Sequence, residues 1–335
     1  MLELSFESSV TRQWAAPAAR PRCFPSSKRL ACASALILTL TAATYLAVSG
    51  YLALTLSSSE RRPLTVSPAQ LGLIYEPVSF PSRIDELPLD GWLLTPTSGA
   101  PARRPVVMVH DRGTDRQRGV FGHILEIASY LVQQDRPVLL FDLRGSGRSA
   151  GDRFTLGLTE VRDVGGAIDF LQRRGLADDG VDLLGYSMGA ATSLLLAPQE
   201  PLVRAVAEDS GYGDLGAVVD DLAPKVDGFH RFFAPGMLLM ARLLLGVDMY
   251  AIRPIDGLNQ LADRGIPLLV IHGGADSVVP VSQGRSLAAA YGPRAETLFV
   301  PRADHLRNYE RNPAAYVRRV AAFFDRAEST SHRSG

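Results

Sequence analysis

The sequence predicts an α/β protein: a mainly parallel sheet with helices on both faces, preceded by one long apolar segment. Three observations carry that expectation. Between residues 71 and 327, short β-rich apolar runs alternate with amphipathic stretches, the pattern of strand–helix–strand units. The later runs are nearly all apolar, as strands buried on both faces must be. And a serine flanked by glycines, at 185–189, stands between a strand-like run and a helix-like run.

Residues 1–29 are rich in Pro, Ser, Arg and Ala and read as a disordered leader. Residues 30–56 carry no charge. A bilayer needs about 20 apolar residues, so the run is long enough to span one, and it is too long for a signal-peptide core. An uncleaved transmembrane signal anchor is expected. Arg20, Arg22, Lys28 and Arg29 precede it, and only Arg61 and Arg62 follow closely. The positive-inside rule then places the N-terminus in the cytoplasm and the body outside it. Residues 57–70 read as a linker, 71–327 as the body and 328–335 as a polar tail.

Candidate strands are 73–80, 89–95, 106–110, 138–142, 181–186, 203–208, 268–272 and 297–300. The first two, joined by a polar turn, read as an antiparallel hairpin at the sheet edge. Helical stretches lie at 121–133, 160–173 and 282–291. A last helix spans 313–326, with Pro313 at its start and Tyr316, Val320, Phe323 and Phe324 at core spacing. Residues 214–256 break the alternation and exceed an ordinary connection. They read as a helical lid, with Phe229, Phe232 and Phe233 as candidate substrate contacts. The alternative is a packed helical excursion.

Composition excludes several functions. Lys plus Arg equal Asp plus Glu, at 35 each, so no basic excess exists to neutralise nucleic-acid phosphates. The two cysteines, Cys23 and Cys32, both precede the body. It therefore holds no disulfide framework, Cys metal site or Cys nucleophile. No metal and no cofactor is expected.

Gly185-Tyr-Ser-Met-Gly189 follows an apolar strand and opens an Ala/Leu-rich helix. Gly-x-Ser-x-Gly in that context places the serine on a tight strained turn above the sheet. The helix N-terminus there favours developing negative charge. Serine needs a base to act as a nucleophile. His305 follows the last strand, and Asp276 follows the strand before it. Asp209, at the end of the 203–208 strand, is the alternative acid. Met188 supplies one backbone N–H for an oxyanion hole, and the loop His110-Asp-Arg-Gly113 is placed to supply another. Asp142-Leu-Arg-Gly-x-Gly-x-Ser149 has its acid and Arg before its glycines and no helix opening on them, so it reads as a structural loop, not a phosphate site.

These segments, with Ile271-His-Gly-Gly-Ala-Asp276 and Ala303-Asp-His305, resemble the α/β-hydrolase superfamily over residues 75–326. The chain is similar to bacterial membrane-anchored members with serine aminopeptidase-like or monoacylglycerol-lipase-like domains. The resemblance implies Ser187, Asp276 and His305 as a triad, and Met188 and Arg112 as oxyanion donors. Asp111 departs from the His-Gly usual in the family, which places a carboxylate beside that hole. The expected function is a serine hydrolase cleaving a carboxylic ester, an apolar acyl ester or lysolipid, at a bacterial inner membrane. A serine aminopeptidase-type peptidase or amidase, with Asp220, Asp221 and Asp227 as amine ligands, is one alternative. A non-catalytic binding protein of the same fold is the other. Nothing in the sequence points to the acyl length or the oligomeric state.

Overall fold

A computed structural model describes residues 27–58, 61–222, 224–225 and 227–331. Cys23 and most of the expected leader and tail lie outside them. Eight strands form one sheet: β1 (Tyr75–Pro81), β2 (Pro88–Leu94), β3 (Val106–Val109), β4 (Val138–Phe141), β5 (Val181–Tyr186), β6 (Val203–Asp209), β7 (Leu268–Gly273) and β8 (Glu296–Val300). Their order is β1-β2-β4-β3-β5-β6-β7-β8. The β1–β2 and β2–β4 pairs are antiparallel. Every later pair is parallel, so the carboxyl ends of β5 to β8 share one rim.

The helices are α1 (Ser27–Leu56), α2 (Ile124–Gln133), α3 (Glu160–Arg173), α4 (Met188–Leu196), α5 (Leu215–Leu222), α6 (Gly228–Leu245), α7 (Leu258–Asp263), α8 (Val281–Tyr291), α9 (Asn308–Arg311) and α10 (Pro313–Ser331). Side chains alternate across a strand, and the two faces fill separate cores. Val107 and Val109 join Val164, Ile168 and Leu171 of α3. Val106 and Met108 join Ile124 and Leu131 of α2 and Phe323 and Phe324 of α10. The sheet is covered on both faces, as its apolar runs predict. An ionic clamp holds α10. Arg136, wholly buried, donates to Asp182 on β5 (3.2 Å) and to Asp325 (3.1 Å) and Glu328 (2.8 Å) on α10.

Helix α1 is long and apolar enough to cross a membrane. Among the described residues, those up to Thr44 and those from Tyr45 onward form separate compact units. The last turns of α1 and the segment after it belong with the body. Arg153 donates to Leu54 O (2.7 Å), and the N–H groups of Thr65 and Val66 donate to Gln117 (2.6 and 2.8 Å). The stretch expected as a linker is therefore tied down at both ends.

Between β6 and β7 the expected lid region forms α5, α6 and short turns. Asp227 caps α6 by accepting from His230 N (2.9 Å), satisfying one of the free first-turn donors. Gly246, at φ 67°, ends the helix in the left-handed region that glycine adopts without steric cost.

Candidate active site

Ser187 sits where β5 turns into α4, at φ 50° and ψ −114°, a conformation a residue with a Cβ adopts only under strain. The flanking glycines make this turn possible. A Cβ on Gly185 would lie 2.5 Å from Gly189 O, and one on Gly189 would lie 2.2 Å from Val109 O and 2.6 Å from His110 O. The start of α4 is thus pressed against the end of β3.

His305 Nε2 lies 3.0 Å from Ser187 Oγ, and His305 Nδ1 lies 2.8 Å from Asp276 Oδ2. Asp276 is buried and its orientation is fixed, since Oδ1 accepts from the N–H groups of Val278 (2.9 Å) and Val279 (2.7 Å). Asp304, next to His305, binds the two loops together. Its Oδ1 accepts from Ser277 N, Ser277 Oγ and His305 N, each at 2.8 Å. Those donors hold its carboxyl below the ordinary value of 3.8, because they favour the charged form.

Residues 106–319 match the α/β hydrolase family. The chain belongs to that family. It is similar to the uncharacterized protein YfhR of Salmonella typhi, 24% identical over 243 residues, covering 69% of this chain and 74% of that protein. The uncharacterized protein Rv2307c of Mycobacterium tuberculosis is 29% identical over 224 residues, covering 66% and 69%. Among solved structures, an esterase of Pyrococcus furiosus superposes with a TM-score of 0.65 at 20% identity, covering 81% of this chain and 98% of that one, a likeness of fold.

In this α/β hydrolase Asp209 is engaged away from His305. It is buried and accepts from Tyr316 Oη (2.7 Å), Asn308 Nδ2 (2.7 Å) and Ser210 Oγ (2.9 Å), and burial pushes its carboxyl up. Asp111 is turned into its own loop. Its Oδ1 accepts from Thr114 Oγ1 (3.0 Å) and Val120 N (3.3 Å), and burial pushes its carboxyl up as well. Among the described residues Asp111 makes no ion pair with Arg112, whose guanidinium lies over the Phe154 ring, 5.7 Å from its centroid. His110 is structural: its Nε2 accepts from Leu143 N (3.0 Å), so Nδ1 carries the proton and donates to Asp111 O (2.8 Å). Met188, the first residue of α4, has an N–H with no intrahelical acceptor.

The 142–149 loop is structural, as its sequence suggests. Asp142 accepts from Arg116 N (2.9 Å) and Arg148 N (2.8 Å), and a Cβ on Gly147 would lie 2.1 Å from its carboxylate.

A cavity of about 320 Å³ lies under α6, with Arg112 in its lining. Ser187, Asp276 and His305 are outside that lining. So are Phe229, Phe232 and Phe233, the expected substrate contacts. Phe232 and Phe233 pack on Tyr45 of α1, ring centroids 5.3 and 5.2 Å away, and Phe229 packs on Phe233. The lining comes instead from Ala234, Met237, Leu238, Ala241 and Leu245. Helical spacing puts these on one stripe, while 229, 233, 236 and 240 make another. The stripe that faces the cavity is not the aromatic one. Asp220 accepts from Tyr250 Oη (2.8 Å), Asp221 pairs with Lys225, and Asp227 caps α6; none lines the cavity.

Proposed function

We propose that this protein is a serine hydrolase that cleaves carboxylic esters with an apolar acyl group, lysolipids included, at a membrane. One observation carries the reading: the unbroken chain from Asp276 through His305 to the Oγ of a serine held on a strained turn. In the mechanism it supports, His305 Nε2 takes the Ser187 proton as Oγ attacks the ester carbonyl. The oxyanion is held by the N–H of Met188 and that of Arg112. His305 gives the proton to the leaving alkoxide, and Ser187 remains acylated. A water, deprotonated by His305, then releases the acid and restores the serine. Asp276 keeps the His305 proton on Nδ1 and stabilises the imidazolium.

The apolar cavity wall supports an acyl substrate over a charged one. The engagement of Asp220, Asp221 and Asp227 elsewhere supports an ester over a peptide amine. On α6, Leu239 and Leu243 are 46% and 68% exposed, a face that suits lipid, and α1 suits a bilayer span. The positive-inside asymmetry supports a body outside the cytoplasm, at a bacterial inner membrane. The test is labelling by a fluorophosphonate probe together with turnover of an ester panel. Both are expected in the wild type and lost in Ser187→Ala, with kcat down by about 10⁶-fold. A folded wild type that neither labels nor turns over esters would refute the reading.

A further inference from the structure

Part of the lining of the cavity under α6 comes from the chain before β1. Ala53 and Ser57, from the last turn of α1 and the residue after it, line it together with Met237 and Leu238 of α6. The polar groups in the lining are engaged locally. Ser57 Oγ donates to Leu54 O (2.9 Å). Thr155 Oγ1 is bonded to Thr159 Oγ1 (2.7 Å) and Glu160 (2.9 Å). His230 Nδ1 is bonded to Asp227 (2.8 Å). What faces the space is therefore mostly aliphatic. The one side chain with a charged head, Arg112, follows Asp111 in the loop after β3, which abuts the start of α4.

The end of α1 is fixed in this lining by three separate devices. The N–H of Phe154 donates to Ser57 O (2.9 Å), and Arg153 donates to Leu54 O (2.7 Å) and Ser57 Oγ (3.2 Å). Tyr45 Oη donates to Phe232 O and accepts from Gly236 N, both at 3.1 Å. Ser49 meets Gly236 so closely that a Cβ there would lie 2.2 Å from Ser49 Oγ. Small residues at a helix contact let backbones approach in this way. A segment serving only as a tether needs none of these contacts.

We propose that the end of α1 is a structural part of the substrate site: Ala53 and Ser57 wall a chamber for the acyl chain, and their size sets the chain length accepted. A volume of about 320 Å³ lies within the range of roughly 300–1,000 Å³ common for small-molecule sites. This rests on the ester-hydrolase reading. Extra carbons at Ala53 fill the chamber and leave the reacting atoms at Ser187 in place.

The experiment uses the full chain in phosphatidylcholine vesicles with p-nitrophenyl acetate and p-nitrophenyl dodecanoate. The readout is the ratio of kcat/KM for dodecanoate to that for acetate. Ala53→Phe is expected to lower this ratio by about ten-fold or more, the discrimination that one or two methylenes of pocket space supply. Leu238→Phe fills the chamber from α6 and is expected to lower it in the same direction. Tyr51→Ala, on the exposed side of α1, is expected to leave the ratio unchanged. Fluorophosphonate labelling confirms in each variant that the serine centre is assembled. An unchanged ratio in labelled Ala53→Phe and Leu238→Phe overturns the proposal, as does an equal fall in Tyr51→Ala. Failure of the wild type to label or to cleave either ester is a different result, and it removes the ester reading itself.

Discussion

Replacing Asp276 by Asn tests the assignment of the acid, and the structure supplies its magnitude. Asp276 Oδ1 accepts two backbone N–H groups, from Val278 and Val279, at 2.9 and 2.7 Å. An asparagine can keep those bonds only with its carbonyl oxygen in that place. Its NH₂ then faces His305 Nδ1, where a carboxylate oxygen stood at 2.8 Å. Turning the amide over would set two hydrogens against the two N–H donors, at a cost of several kcal/mol of lost and repelling hydrogen bonds. The NH₂ therefore donates to Nδ1, and the His305 proton moves to Nε2, facing Ser187. A protonated Nε2 cannot take the serine proton. Loss of the correct tautomer at unchanged geometry costs about 10⁴-fold in kcat, or about 5.4 kcal/mol of barrier. The assay is steady-state turnover of p-nitrophenyl acetate, with thermal melting as a check on folding. A folded Asp276→Asn enzyme within about ten-fold of wild type, a gap of only about 1.4 kcal/mol, would show that another group orients His305.

Gly189→Ala drives a Cβ to 2.2 Å from Val109 O, backbone that cannot yield cheaply. It is expected to cost about 1–3 kcal/mol of stability and, by parting Met188 from the Arg112 loop, about 10²-fold in kcat; a wild-type melting curve and rate would refute this. Glu208 is buried, and burial holds its carboxyl well above the ordinary 4.5. The folded state keeps this proton while the unfolded state releases it, so stability falls as pH rises above 4.5, by up to about 1.4 kcal/mol per pH unit. Glu208→Gln is expected to remove that fall, so that its melting advantage over wild type grows from pH 5 to pH 8. Asp304 has the opposite sign. Its lowered carboxyl contributes stability that is present above pH 3.8 and lost as pH falls through its folded value. Asp304→Asn is expected to flatten the acid limb of the pH–stability curve and to slow turnover by less than about 10²-fold, since Ser277 and His305 keep a neutral acceptor.

The sheet was legible because its central strands are buried on both faces. Val181–Tyr186 and Val203–Asp209 have nothing but apolar or specially placed residues to present, and no helix of that length would. Ser187, Asp276 and His305 were legible because each comes within a few residues of a strand's carboxyl end, and parallel strands deliver their ends to one rim. The role of Asp304 was not legible, because a pattern of residue types cannot show an oxygen reaching back to Ser277. The stripe of α6 that faces the cavity was harder to choose. Helix α6 is apolar on most of its surface, so periodicity does not single out one face, and the partner of the Phe stripe, Tyr45, is remote in sequence. The attachment of α1 to the body was hidden for the same reason: an apolar run looks alike against lipid and against α6.

The ionic clamp on α10 has a consequence for synthesis. Arg136 emerges from the ribosome long before Asp325 and Glu328, two of the carboxylates that neutralise it. Translation at about 5–20 residues per second leaves the nascent chain with Asp182 as the one of these three carboxylate partners of Arg136 already made. His305 is made in the same late stretch. In the proposed mechanism Ser187 is thus accompanied by its base only when the chain is nearly finished. Under that mechanism, an interrupted chain carries Ser187 without the group that would activate it.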